Sequence, residues 1–284
     1  MNRTSEPRWE GRTARQWLAR LPLPAVRIFD TLRSTNDVAR EWADAGAPAG
    51  ALVLADAQSA GRGRGGRAWW SPAGVGLYAS VVLRPERAVA GDVDAGVVSL
   101  RVGLALAGAL RSAYGLDARV KWPNDLLAPR GGKLAGVLCE SALAGSNPAY
   151  VVAGMGVNVG HPDALPPELR DSATSVAAVL GHAVERAALL APLAAELAAL
   201  AAAPVAPLSA EELARVGRLD ALAGRLVRVD RGPPVRARGV DPSGALRVAS
   251  LVGGGETLVR TGTVRIADTR REAGVGECHD GSET

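Results

Sequence analysis

The chain is poor in cysteine, histidine and lysine, and each shortage excludes something. Two cysteines in 284 residues, Cys139 and Cys278, can build neither a disulfide framework nor a four-ligand zinc site. Three scattered histidines, His161, His182 and His279, give no metal cluster. No charged start followed by a long apolar run marks secretion or a membrane span, so the expected setting is a reducing cytoplasm without a membrane partner. With 48% hydrophobic and 22% charged residues, the composition is that of a globular protein and not of a disordered, fibrous or coiled-coil chain.

Lysine is the most informative shortage. Of 33 basic residues only Lys121 and Lys133 are lysine, in a chain whose 54 alanines and 34 glycines betray a strong compositional bias. Lysine is a compact point charge and arginine a broad planar fork, so two lysines twelve residues apart point to a site too small for the fork. The net charge of +4 helps attract phosphate-bearing or acidic partners without establishing nucleic-acid binding.

The apolar pattern predicts an α+β domain. Short strands are expected at Val26–Phe29, Ala51–Ala55, Tyr78–Leu83, Ala118–Lys121, Leu134–Glu140 and Tyr150–Val159. Helices are expected at Thr13–Leu21, from Ser34 to near Gly46, at Asp94–Tyr114 with Gly115 as its stop, at Thr174–Leu180, at Glu185–Ala202, and from Ser209 to Leu219. Ser34 with Asp37, and Ser209 with Glu212, have the spacing of capping boxes. From Gly224 the apolar period changes to two, which predicts a small all-β, barrel-like domain over 221–268 after a first domain over 1–220. The polar stretch 269–284 is expected to be a disordered tail. One short helical candidate in the first twenty-five residues is too little for a helix-turn-helix, so no specific DNA partner is expected.

Three segments carry chemistry. Gly61 to Arg67 holds four glycines and three arginines, whose backbone N–H groups and guanidinium forks suit an anion; a solvated loop and a nucleic-acid contact are the alternatives. Three like charges with nothing apolar to pin them predict a mobile loop. Lys121 and Lys133 flank Asn124 and Asp125, a set that suits a polyphosphate, a magnesium ion and a developing anionic oxygen. Trp69 offers a wall for an apolar ligand. Cys139, inside an apolar strand, reads as core and not as a nucleophile.

These segments resemble the bacterial biotin protein ligases. The likeness runs in order through Ser34-Thr35-Asn36, Gln58 to Arg67, Trp69-Trp70-Ser71-Pro72, Lys121-Trp122-Pro123-Asn124-Asp125, Lys133-Leu134-Ala135-Gly136 and Gly154 to Val159. It departs at Gly65-Gly66 and Ala68, where relatives often carry more positive charge. The resemblance implies a mixed-sheet, class II synthetase-like catalytic domain with a small C-terminal SH3-like β-barrel. It implies an ATP-dependent ligase, with Mg2+ carried by the substrate phosphates, that forms biotinyl-5'-AMP and passes biotin to a lysine of a biotin carboxyl carrier domain. The implied biotin-binding set is Ser34, Thr35, Asn36, Gln58, Gly61, Arg62, Trp69, Lys133 and Gly136. The implied adenylate set is Arg62, Arg64, Arg67, Trp69, Asn124, Lys133 and Asn158, with Thr174, Ser175 and Val176 on the adenine side. Lys133, Arg62, Arg64, Lys121 and Asp125 are the implied catalytic residues, Asp125 orienting Lys121 or accepting the acceptor amine's proton.

Overall fold

The computed structural model describes residues 6–84, 95–144, 147–160, 166–202 and 207–267. His161, Cys278, His279 and the expected tail from 269 lie outside the described residues. In chain order the elements are β1 (Arg8–Trp9), β2 (Arg12–Thr13), α1 (Ala14–Leu18), β3 (Val26–Leu32), α2 (Thr35–Asp44), β4 (Leu52–Gln58), β5 (Gly76–Leu83) and α3 (Ala95–Tyr114). There follow β6 (Arg119–Lys121), β7 (Asp125–Leu127), β8 (Lys133–Ala144), β9 (Asn147–Asn158), α4 (Val176–Leu180), α5 (Ala187–Ala202) and α6 (Ala210–Leu219). The last five strands are β10 (Leu226–Val229), β11 (Pro234–Val240), β12 (Leu246–Ser250), β13 (Glu256–Val259) and β14 (Val264–Ile266).

Seven strands make a mixed sheet in the order β3-β4-β5-β9-β8-β7-β6, with β3 and β4 parallel and the other neighbours antiparallel. Side chains alternate between its faces. Leu52, Leu54, Ala79, Val81, Ala153 and Met155 share a core with Val98, Val102 and Leu106 of α3 and with Leu189, Leu193 and Leu197 of α5. The intervening residues Val53, Val82, Tyr150 and Val152 pack with Ala39 and Ala43 of α2 on the opposite face. α2 covers only part of that face. Beyond its N-terminus the same alternation leaves Gly154, Gly156 and Asn158 on β9, and Gly136 and Leu138 on β8, lining a cavity.

The stretch Gly96–Tyr114 is long and apolar enough to cross a membrane by length and composition, but 72% of its most apolar window is buried inside the fold. It is a core helix, apolar because most of it is covered, with Arg111 and Ser112 reaching solvent near its end. Gly115, at φ +66°, ends it as a left-handed stop.

The C-terminal strands fall where the period-two pattern put them, but they do not close. β10 to β14 form an open antiparallel sheet in the order β13-β12-β11-β10-β14, whose two edge strands do not pair with each other. The SH3-like barrel expected there is therefore incorrect. The physical reason is that the sheet does not need to cover its own apolar face. Val227, Ala237, Leu246, Val248 and Val264 bury that face against Val97, Leu100 and Leu104 of α3, Trp122, and Leu208 and Val216 beside and on α6. Closure is a property of the partners available to a face, and a strand's own sequence does not carry it.

α6 is tied into this core by its first turn. Ser209 and Glu212 form the expected capping box, and Arg101 of α3 binds the Glu212 carboxylate at 2.6 and 3.1 Å. The Arg101 guanidinium, followed by the Ser209 backbone, holds the Glu212 carboxyl down at about 2 from an ordinary 4.5. A depressed folded value means that the stabilisation is complete above about pH 4.5 and is lost as pH falls towards 2. Glu212→Gln is expected to cost about 1 kcal/mol at neutral pH, allowing for partial exposure of the pair. Urea unfolding at pH 7 and pH 3 checks it: the gap between parent and variant should narrow at pH 3, and an unchanged gap contradicts the pairing.

Candidate active site

The cavity has a volume of about 350 Å³. Its floor is glycine because side chains of neighbouring elements occupy the space a Cβ would need. At Gly156 a Cβ would overlap the Trp69 indole, and at Gly154 it would overlap the Asn36 side-chain amide. Neither glycine has a positive φ, so the requirement is close approach and not backbone freedom. Trp69 thus packs directly against the β8–β9 floor, and its buried Nε1 has no hydrogen-bond partner among the described residues.

The inner wall is the start of α2. Ser34, Thr35 and Asn36 are all buried. Ser34 precedes the helix but makes no side-chain cap, contrary to the spacing of its motif. The Gln58 Oε1 at the end of β4 takes the Thr35 N–H at 2.9 Å and lies 3.2 Å from the Thr35 hydroxyl. A residue twenty-three positions away supplies what a local cap would have supplied. The Gln58 Nε2 donates to Ser71 Oγ at 2.9 Å, and Ser71 lies 3.0 Å from the Trp69 carbonyl.

The arginine–glycine loop over the cavity is a small hydrogen-bonded hairpin. Trp69 N donates to Gly61 O at 2.9 Å, Gly63 N to Arg67 O at 2.7 Å, and Arg62 bridges to Ala68. Gly65 and Gly66, at φ +65° and +73°, form its tip. Trp69 anchors one end of the loop and each arginine has a partner, contacts that the charge pattern alone did not reveal. Arg62 is clamped by Asp37 at 2.7 and 2.9 Å and by Glu140 at 3.3 Å. Arg64 Nη1 lies 3.4 Å from Asn124 Oδ1, and Arg67 Nε donates to Arg64 O at 3.1 Å. The hydrogen-bonded Arg62 beside it holds the Asp37 carboxyl below its ordinary value, and Asp37 raises Arg62 in turn.

Opposite the loop, the two lysines meet on one carboxylate. Lys133 Nζ is 2.6 Å from Asp125 Oδ1, and Lys121 Nζ is 3.8 Å from Asp125 Oδ2. Lys133 also sits over the Trp69 ring, 5.1 Å from its centroid, which joins the lysine-bearing turn to the loop. Burial lowers the Lys121 ammonium below the usual lysine range, with the Asp125 carboxylate opposing and the Lys133 charge adding to the shift. Asn124 staples this turn to β8 through Val137 O at 2.8 Å. A second hollow of about 650 Å³ opens outward past Arg64, Arg67 and Lys121 to Arg231 and Arg265 of the C-terminal sheet.

Ser34, Thr35, Asn36, Gln58, Arg62, Arg64, Arg67, Trp69, Lys121, Asn124, Asp125, Lys133, Gly136 and Asn158 all line the one cavity. Gly61 lies behind the loop, where a Cβ would crowd the Trp69 carbonyl at 2.6 Å and Ser71 Oγ at 2.7 Å. The segment after Asn158 contributes differently from expectation. Ser175 caps α4 and Val176 is core, while Leu169, Ser172 and Ala173 line the cavity, brought there by the Lys133–Ala173 bridge. Asn158 ties the two strands of that corner by donating to the Lys133 and Thr174 carbonyls. The Asp37–Glu140 clamp escaped sequence reasoning. Its available signal was an acid at the end of an apolar strand. Burial pushes the Cys139 thiol up to about 12, which disfavours the thiolate, the residue packs half-buried against the core, and His182 lies on an exposed turn. No cluster of three or more metal-ligating side chains occurs among the described residues.

The model of the Biotin/lipoate A/B protein ligase family matches residues 28–158. The chain is 41% identical over 234 residues to a biotin–[acetyl-CoA-carboxylase] ligase of Paracoccus denitrificans, covering 75% of this chain and 89% of that one. It is 37% identical over 162 residues to the bifunctional ligase/repressor BirA of Bacillus subtilis, covering 57% of this chain; that match spans about half of the BirA length, 49%. A biotin protein ligase from Aquifex aeolicus in complex with biotin and ATP shares the fold, with a TM-score of 0.72 at 24% identity over 86% of this chain and 100% of that one.

Proposed function

Because this chain belongs to the biotin/lipoate protein ligase family, to judge from a biotin–[acetyl-CoA-carboxylase] ligase 41% identical across 89% of that relative's length, we propose that it activates biotin with ATP and transfers it to a lysine of a biotin carboxyl carrier domain. The observation that carries this reading is the juxtaposition of the loop and the lysine-bearing turn across Trp69, with Lys133 Nζ 5.1 Å from the ring centroid.

In the first step a carboxylate oxygen of biotin attacks the α-phosphorus of ATP, a P–O bond to pyrophosphate breaks, and the mixed anhydride biotinyl-5'-AMP forms. Two anions must approach each other, and Lys133, with Lys121 and Arg64 nearby, offsets their repulsion. Asp125 holds the Lys133 ammonium at the cavity edge, so the charge is in place before the substrates arrive. Thr35 and Gln58 present polar groups for the ring end of biotin, and Trp69 offers it an apolar wall in the same cavity. In the second step the acceptor amine attacks the acyl carbon, the C–O bond to AMP breaks, and Asp125, the one carboxylate among the described lining residues, would take the ammonium proton. No side-chain nucleophile is required.

Mg2+ fits this cavity as part of the nucleotide. Asp125 is the only acid among the described lining residues and is engaged by both lysines, so phosphate oxygens would supply the ligands, with Asn124 beside them. The basic outer hollow, with Arg231 and Arg265, suits the departing pyrophosphate. A cytoplasmic setting, where ATP and the carrier domain are at hand, goes with this reading. ATP–pyrophosphate exchange with Mg2+ tests it. Biotin should stimulate exchange without any acceptor protein, and stimulation by lipoate in its place, or by neither, would remove the assignment.

A further inference from the structure

Around the cavity runs a continuous hydrogen-bonded chain that begins and ends on the arginine–glycine loop. At one end Arg62 meets the Glu140 carboxylate at 3.3 Å. The same Glu140 Oε2 accepts from Asn36 Nδ2 at 2.7 Å. Asn36 Oδ1 accepts from Ser80 Oγ at 2.7 Å, and Ser80, wholly buried, also lies 2.7 Å from Thr35 Oγ1. Since Ser80 spends its single proton on the Asn36 oxygen, which can only accept, the Thr35 hydroxyl donates to Ser80 and the Thr35 N–H carries the chain on to Gln58 Oε1 at 2.9 Å. Gln58 then passes the chain through Ser71 to the Trp69 carbonyl, the loop's other end.

The orientation of Asn36 is fixed by this arrangement, because only its N–H2 suits a carboxylate and only its oxygen suits the Ser80 hydroxyl. Asp37 provides the tighter grip on Arg62, but no described hydrogen bond joins its side chain to that of its chain neighbour Asn36. Glu140 does both. It is the link between the loop's leading arginine and the polar wall that, on the ligase reading, receives the ring end of biotin.

We infer that Glu140 is a positioning residue that couples occupancy of the Thr35–Gln58 wall to closure of the arginine–glycine loop, by holding Arg62 and Asn36 on one carboxylate. Two consequences follow. Arg62 is the fixed anchor of the loop, neutralised by its two acids, and the charge offered to phosphate comes from Arg64 and Arg67. A ligand that orders Thr35 and Gln58 also stiffens the loop's root, because the chain has no break between them.

This rests on the proposed function for its kinetic arm only, and a ligand-free arm keeps the two separate. In the ligand-free protein, Glu140→Ala should speed amide hydrogen exchange over residues 61–69 at least fivefold, with β4 and β5 unchanged. Glu140→Gln keeps an acceptor for Asn36 at the Oε2 position but sets an amide N–H2 where Oε1 lies 3.4 Å from Arg62 Nη2, and should restore only part of the protection. In biotin-dependent pyrophosphate exchange, Glu140→Ala should raise the biotin KM about tenfold and lower kcat no more than threefold, with Glu140→Gln in between. Adding Glu140→Ala to Arg62→Ala should worsen KM less than twofold, because the link is already cut. Unchanged loop exchange in Glu140→Ala, or independent multiplication of the two KM effects, overturns the coupling. Absence of biotin-dependent exchange in the parent overturns the ligase reading and leaves the loop measurement to decide on Glu140.

Discussion

Replacing Lys133 by alanine is expected to lower biotin-dependent pyrophosphate exchange about 100- to 1,000-fold, the usual cost of removing one placed donor from a developing anion. The side chain stands at the junction of three features: the Asp125 carboxylate 2.6 Å away, the Trp69 face, and the open floor at Gly136. Its loss leaves Asp125 with Lys121 alone, at 3.8 Å, and so adds an ill-matched negative charge where two anions must meet. The fold should survive, because the Lys133 side chain is 31% exposed and belongs to no apolar core. Lys133→Arg should rescue little. A Cβ at Gly136 would already lie 3.2 Å from Nζ, so the floor is close beneath it and a guanidinium fork has no room to lie down. Initial exchange rates together with thermal melts check this: a Lys133→Ala rate within threefold of the parent, at unchanged melting temperature, would remove Lys133 from the chemistry.

The second large effect is on retention of the intermediate. Arg64→Gly removes the contact to Asn124 Oδ1 and creates four consecutive glycines at 63–66, where the tip already has two residues with positive φ. A charged hydrogen bond of this kind is worth ~1.5–3 kcal/mol, so the adenylate should leave about 10- to 100-fold faster while still being formed. The expected phenotype is leakage of an activated acyl group into solution, where free amines would capture it. Release of radiolabelled adenylate from the purified protein measures this directly, and a lifetime equal to that of the parent would mean that the loop does not seal the site.

What could be read from the residues and what could not divide along physical lines. α3 declared itself by its 3.6-residue apolar period and its glycine stop, and the five C-terminal strands by their period of two, because both signals are local. The open edge of the C-terminal sheet was not legible: its strands pack on α3, Trp122 and α6, residues up to more than a hundred positions earlier. β7 was hidden for a different reason, being three residues long and directly after Asn124 in a turn-rich run. For the site, the two lysines stood out because everything around them had become arginine, and the cavity unites them as the shortage implied. The clamp on Arg62 did not stand out, because Asp37 and Glu140 are 25 and 78 residues away from it and an exposed-looking acid near a strand end has many uses. The same distance explains Gln58 replacing Ser34 as the cap of α2. Local motifs announce which groups a site contains, and long-range pairing decides which of them are free to act.

The central claim is that the loop and the lysine-bearing turn together enclose an acyl phosphate. Amide hydrogen exchange over residues 61–69, compared between the ligand-free protein and the protein given biotin, ATP and Mg2+, reads that enclosure most directly. The account predicts strong added protection of Arg62 to Arg67 with both substrates present and much less with either alone. Equal exchange in the presence and absence of both would contradict it.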